Sequence, residues 1–141
     1  MITDTSSQIE ANESDYLFIQ TSNLPNSGRG LHTAVTIYKD EVISVFKGHI
    51  LTERQVQIRV NKDHDKYFIE LLDGRIMDAM KVNGFAKYAN DAKGYSNSTY
   101  RNNAKIAYDE NDQICLIATR KINAGEEIFC SYGKKYWEKH G

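Results

Sequence analysis

Three segments of this chain carry groups that can do chemistry. In Ser27-Gly28-Arg29-Gly30, adjacent glycines let backbone N–H groups come close to a ligand, and successive amides can form a nest for an anionic group. Asn90-Asp91-Ala92-Lys93-Gly94, with Asn102-Asn103 downstream, lies in a stretch rich in Asn, Gly, Ser and Asp. That stretch, residues 90–103, reads as a loop long for a compact domain, and long loops tend to carry function. The third segment runs from Ala124 through Glu126, Glu127 and Tyr132 to Gly133, with Tyr136 and Trp137 after it. Taken singly, each has a plainer reading: a tight turn, an Asn-rich surface loop and a packed core tyrosine.

The elements that must position these segments are short and mostly extended. Tyr16–Gln20, Leu31–Ile37 and Val42–Phe46 read as strands, with a turn-rich loop from Asn23 to Gly30. Thr52 begins one short helix, because Gln55 three residues on completes a capping-box pattern and Val56 and Val60 share a face. Tyr67–Leu71 and Arg75–Asp78 flank Asp73-Gly74, a hairpin signal, since that turn needs positive φ. Val82–Ala89 reads as a short helix or helical turn. Ala104–Tyr108 and Ile114–Thr119 form a second hairpin around Asp109–Asp112, and Ile128-Phe129-Cys130 closes the β pattern. Ile37, Glu41 and Ile43 are echoed at equal spacing by Ile122, Glu126 and Ile128. Similar turns selecting similar residues would explain the echo equally well. Either way, many short strands joined by tight turns imply a β-rich fold.

Composition bounds what the chain does. At 141 residues there is room for one domain with its own core. With 18 basic against 19 acidic residues and a net charge of −1, there is no basic excess to hold nucleic acid or a membrane surface. Cys115 and Cys130 sit in apolar runs outside any CxxC, and the four histidines are scattered, so buried thiols are expected and a metal site is not. Reduced thiols suit a cytoplasmic or nuclear setting. The polar first 14 residues read as a frayed tail, neither a signal peptide nor an anchor. No apolar stretch reaches the roughly 18 residues of a membrane-spanning helix.

In this order and spacing the three segments resemble the SET-domain family of protein lysine methyltransferases, from about Tyr16 to Trp137. Gly28-Arg29-Gly30-Leu31 is similar to the family's early Gly-x-Gly motif, which meets the methionine end of S-adenosylmethionine. Phe46-Lys47-Gly48 resembles its Tyr-x-Gly step, and Ile76-Met77-Asp78-Ala79 its Asp-Ala step. Lys87-Tyr88-Ala89-Asn90 resembles Arg-Phe-x-Asn, whose Asn lies beside the cofactor, and Asn103-Ala104 the end of the same motif. Ala118–Ile122 with Gly125-Glu126-Glu127-Ile128 and Tyr132-Gly133 gives the most specific match, to the closing motif.

The resemblance implies a mostly-β, β-clip fold of several small sheets, one or two short helices and a C-terminal pseudoknot, with residues 15–141 as one catalytic domain. The pseudoknot would pass the C-terminal segment under the loop carrying Asn90, an exception to the rule against threading. It implies methyl transfer from S-adenosylmethionine to lysine in a protein or peptide, with S-adenosylhomocysteine as product and no metal, nucleic acid or membrane involved. Tyr132 would be catalytic, its hydroxyl orienting the amine and its ring facing the sulfonium. Ser27, Gly28, Arg29 and Gly30, then Lys87, Tyr88, Asn90 and Asp91, and again Tyr132, would contact cofactor. Trp137 would cover adenine, and Phe46, Tyr67, Cys130 and Tyr136 would line the lysine channel; for Tyr136 and Trp137 core packing is an equal alternative. Lysine, with a reference pKa near ~10.4, must arrive deprotonated. An apolar channel and the nearby sulfonium both favour the neutral amine.

The chain departs from the family in places. Asn90-Asp91-Ala92-Lys93 stands where Asn-His-Ser-Cys is usual, so side-chain contacts after Asn90 do not carry over. Phe46 replaces a frequent tyrosine, and Cys130 an aromatic residue that limits methyl number, which favours multiple methylation. Cysteine-rich zinc segments are missing. Two other readings follow: a catalytically silent SET-like protein-binding module, and a β-clip ligand-binding domain.

Overall fold

Strand β9 (Ile114–Ala118) is buried along its whole length, as its unbroken apolar run requires, and the largest sheet forms around it. It pairs antiparallel with β8 (Ala104–Tyr108) on one side and β4 (Glu41–Val45) on the other, and β1 (Ser7–Gln8) adds in parallel to β4. A second sheet has the order β10 (Glu127–Ile128), β3 (Arg29–Thr33), β2 (Leu17–Thr21), and a third β5 (His49–Leu51), β7 (Ile76–Asp78), β6 (Phe68–Glu70). Helices α1 (Glu13–Tyr16) and α2 (Glu53–Asn61) and a 3-10 turn at Ala86–Tyr88 complete the fold. This computed structural model describes residues 7–64, 68–71, 74–79, 84–92 and 99–131. It is the mostly-β arrangement of small sheets that the sequence implies. Among the described residues no helix is long and apolar enough to cross a membrane.

Both expected hairpins form. Gly74, at φ 87, donates its N–H to Leu71 O, and β6 pairs with β7; Leu72 and Asp73 of this turn lie outside the described residues. In the β8–β9 turn, Asp109 Oδ1 accepts the N–H groups of Asn111 and Gln113, and Asp112 takes φ 60. The capping box at Thr52 is present with both reciprocal bonds to Gln55, and Val56 and Val60 are half-buried. Several strand boundaries shift from those expected. Tyr16 ends α1 and is not the first residue of a strand. β3 stops at Thr33, whose Oγ1 exchanges hydrogen bonds with the backbone of Val35 and so diverts the chain from the ladder.

Residues 7–14, assigned by the sequence reading to a frayed tail, lie against the largest sheet. β4 carries a bulge at Ile43, between the pairs Val42↔Ile117 and Ser44↔Leu116. The bulged carbonyl of Ile43 accepts the Tyr16 hydroxyl at 2.7 Å. Glu13 accepts Ser44 Oγ and the Val45 N–H. The residues before β2 thus satisfy β4 backbone groups at the bulge and just after it.

The faint echo in the sequence is a structural equivalence. Ile37 and Ile122 pair with each other, exchanging two backbone bonds of 2.8 Å. Each then enters the same turn. Glu41 accepts the Tyr38 N–H at 2.7 Å, and Glu126 accepts the Asn123 N–H at 2.6 Å. The residue before each glutamate has positive φ, 72° at Asp40 and 89° at Gly125. Across the pair, Asp40 donates to Ala118 O and Gly125 to Thr33 O. The strands follow suit: His32 pairs with Glu127 as Val42 does with Ile117. The two turns are therefore alike in sequence because they occupy equivalent places about an approximate two-fold axis. The largest fully buried side chains, Leu31, Ile37, Ile43, Leu116, Ile122 and Ile128, come from these paired segments.

The closing segment 127–130 is held between the two flanks of the 91–102 segment. Cys130 N–H donates to Asn90 O on one flank, and Asn103 and Ala104 N–H groups both donate to Phe129 O on the other. The Asn103 side chain, 2 % exposed, donates to Glu127 O and accepts the Phe129 N–H. Asn103→Ala orphans both of those buried backbone groups, and a loss of about 2–6 kcal/mol is expected at roughly 1–3 per unsatisfied group, read from urea midpoints.

A second expectation concerns alkali. Burial, helped by the Asp109 carboxylate, pushes the Cys115 thiol from 9.0 up to about 12. Burial first, then Glu13 and Glu41, pushes the Tyr16 phenol up as well. Both groups hold their protons more tightly in the folded state. For Cys115 this stabilisation is complete below about pH 9 and disappears as pH rises toward about 12. The urea midpoint should fall with pH above about 9, less steeply in Cys115→Ala than in the parent.

Candidate functional site

The glycine loop is set by the pairing of β2 with β3. Thr21 pairs with Arg29 and Gln20 with Gly30, and the turn between is closed by Ser22 N–H donating to Gly28 O at 2.8 Å. Gly28 has φ 65, a conformation that glycine takes without strain. A Cβ built on it would meet nothing within 4 Å, so this backbone faces open space. Arg29 is exposed, Ser27 is half-buried with its Oγ turned 3.4 Å from Pro25 O, and Gly30 is buried.

Asn90 joins this loop to the closing segment. Its side-chain Nδ2 donates to Arg29 O at 3.0 Å, while its own carbonyl accepts the Cys130 N–H at 2.9 Å. One residue thereby touches the first and third of the sequence segments singled out above, far apart as they are in the chain. Tyr132 lies two residues beyond Cys130. Tyr132, Tyr136, Trp137 and Tyr67 fall outside the described residues.

The other expected residues gather unevenly. The 3-10 turn carrying Lys87 and Tyr88 packs against β3 and β4. Lys87 Nζ stands 5.5 Å from the centre of the Tyr88 ring, a cation–π distance, and Tyr88 leans on the main core. Phe46, 4 % exposed, and Cys130, fully buried, belong to that same core cluster with Ala86 and Ala89. Neither cysteine is in a disulfide. Asp91 is 5 % exposed and its Oδ1 accepts Asn102 Nδ2 at 2.9 Å, while Asn102 Oδ1 accepts the Ala92 N–H at 2.8 Å. Asn102 is thus tied to both Asp91 and Ala92, and the Asp91 carboxylate is engaged inside the protein.

Two weaker motif matches have a packing reason. A Cβ at Gly48 would stand 2.6 Å from Asp78 O and 2.7 Å from Met77 Cγ. The Phe46-Lys47-Gly48 step and the Asp78-Ala79 step therefore lie against each other, His49 pairing with Asp78 in the β5–β7 ladder. Sequence reasoning gave no separate part to Glu127 or Asn102. Glu127 was visible as the second of two adjacent glutamates, directly before the apolar run Ile128-Phe129-Cys130, a position where a charge drawn into a buried strand needs internal partners.

No curated protein matches the chain. The model of the SET domain matches residues 28–133, from the glycine loop to one residue past Tyr132. That span covers both segments bridged by Asn90 and most of the chain, and the protein belongs to the SET-domain family.

Proposed function

We propose that this protein transfers methyl groups from S-adenosylmethionine to lysine side chains of a protein or peptide, releasing S-adenosylhomocysteine. Family membership supports the reaction class, since SET domains are generally protein lysine methyltransferases. The observation that carries the reading is Asn90, hydrogen-bonded at once to Arg29 O and to the strand that leads to Tyr132. Open backbone at Gly28 beside this bridge fits the amino-acid end of the cofactor, which exposed amides and carbonyls can bind.

In this reading Ser27–Gly30 hold the methionine end, and Lys87, Tyr88, Asn90 and the Asp91 backbone flank the rest, with Trp137 over the adenine. The bound cofactor supplies an electrophilic methyl on a cationic sulfonium. Phe46, Tyr67, Cys130 and Tyr136 wall a channel that strips water from the incoming lysine and so favours its neutral, nucleophilic form. Tyr132 orients the amine for in-line attack, and holding the reacting atoms in line accounts for the entropic part of the acceleration. A second reading, a SET-like module that binds a protein without catalysis, draws on Phe46, where a hydroxyl is common in the family.

Incubation with S-adenosylmethionine and a mixture of basic proteins and peptides, read by mass spectrometry, should give methyl increments on lysine. Tyr132→Phe should lower the rate at least about 10²-fold. The rate should also rise with pH as more of the substrate lysine loses its proton. No increments, with no rise in melting temperature on adding cofactor, would overturn the proposal. A melting rise without methylation of any component would favour the binding module.

A further inference from the structure

Glu127 is a carboxylate buried to 3 % exposure that the reaction does not use. Its Oε2 accepts the Ser22 hydroxyl at 2.6 Å and its Oε1 accepts the Asn23 N–H at 2.7 Å. Ser22 Oγ in turn accepts the Leu24 N–H at 3.1 Å. These donors begin the turn that ends at Gly28, and the Ser22 N–H closes that turn on Gly28 O. A buried carboxylate with charge-assisted bonds to one end of a turn holds that end far more firmly than water would.

The neighbours leave Glu127 little freedom to move. A Cβ on Gly30 would overlap its carboxylate, so only glycine at that position lets β3 pass. His32, 1 % exposed and stacked on Phe18 at 5.4 Å, brings Nε2 to 3.8 Å from Oε1 and forms no hydrogen bond through that nitrogen. Behind it, the Glu127 carbonyl accepts Asn103 Nδ2 at 3.0 Å. The residue is thus fixed by its backbone to the closing strand and by its side chain to the glycine loop.

We infer that Glu127, acting through Ser22 and Asn23, is the positioning residue that sets the Gly28–Gly30 loop for cofactor. The inference rests on the methyltransferase reading for the identity of the ligand, but the loop's position is a property of the protein alone. Asn90 reaches the same loop through Arg29 O, from the opposite end of the turn. The second glycine of the motif is then explained by the carboxylate lodged against it, and the first by open space in front of it.

Ser22→Ala removes one donor from Glu127 at a position only half-buried, and Glu127→Gln keeps the shape while removing the charge. Two quantities are measured in parent and variants: amide hydrogen exchange over residues 22–31 without ligand, and the dissociation constant for S-adenosylhomocysteine. Exchange in this segment should quicken in Ser22→Ala while β8 and β9 keep their protection. Affinity should fall about tenfold, with the KM for a lysine peptide little changed. Glu127→Gln should also quicken exchange and weaken binding, because an uncharged amide offers one oxygen where two donors, Ser22 Oγ and the Asn23 N–H, each have one now. Unchanged exchange overturns the inference whatever the affinity does, and so does quickened exchange with unchanged affinity. A parent protein that binds no S-adenosylhomocysteine overturns the cofactor reading first, and this assignment with it.

Discussion

Residues Glu127 to Cys130 are all buried, yet only two of them lie in a regular strand. Buried backbone groups must find partners, and a two-residue strand cannot supply them from one ladder. The partners come from three places instead. β3 pairs with Glu127 and Ile128, the Asn103 side chain and the 103–104 backbone take Phe129, and Asn90 takes Cys130. All of these partners except His32 lie in a segment named for the candidate site. The requirement that one buried segment be satisfied piecemeal is what draws the glycine loop, Asn90 and the approach to Tyr132 together.

The same economy runs through the fold. The described strands are two to five residues long, and side chains take up hydrogen bonding that longer ladders would provide. Tyr16 and Glu13 satisfy the bulge in β4, Asp109 closes the β8–β9 turn, and Asn102 ties Ala92 to Asp91. Three of the buried polar residues, Asp91, Asn103 and Asp109, accordingly stand just outside regular elements, where the chain passes from one to the next. Apolar packing by Leu31, Ile37, Ile43, Leu116, Ile122 and Ile128 supplies the general driving force, while the polar joints select one arrangement of short pieces over others.

The two equivalent turns show how symmetry and function part company. Ile37 and Ile122 pair, and the turns after them use the same glutamate bond and the same positive φ. After the turns the halves diverge. Where β4 has Val42 packed in an apolar cluster, the equivalent place in the closing strand is Glu127. That one exchange of an apolar side chain for a carboxylate puts hydrogen-bonding capacity beside the glycine loop in only one half, the half that leads to Tyr132.

Local signals in the sequence were enough for the hairpins at Gly74 and Asp109–Asp112, the capping box at Thr52, and the β-rich class. Each depends on residues within a few positions of one another, where φ preference and side-chain reach act directly. The motif order also identified the family, because the glycine loop, Asn90 and the Glu126-Glu127 turn keep their types and spacing. What lay beyond the sequence were contacts between distant segments. The Asn90 bond to Arg29 O, the Glu127 clamp on Ser22 and Asn23, the Asp91–Asn102 pair and the docking of Glu13 on β4 all involve partners whose proximity no local rule encodes. They exist because short buried strands must borrow partners, and which residue lends one is decided only when the chain has closed on itself.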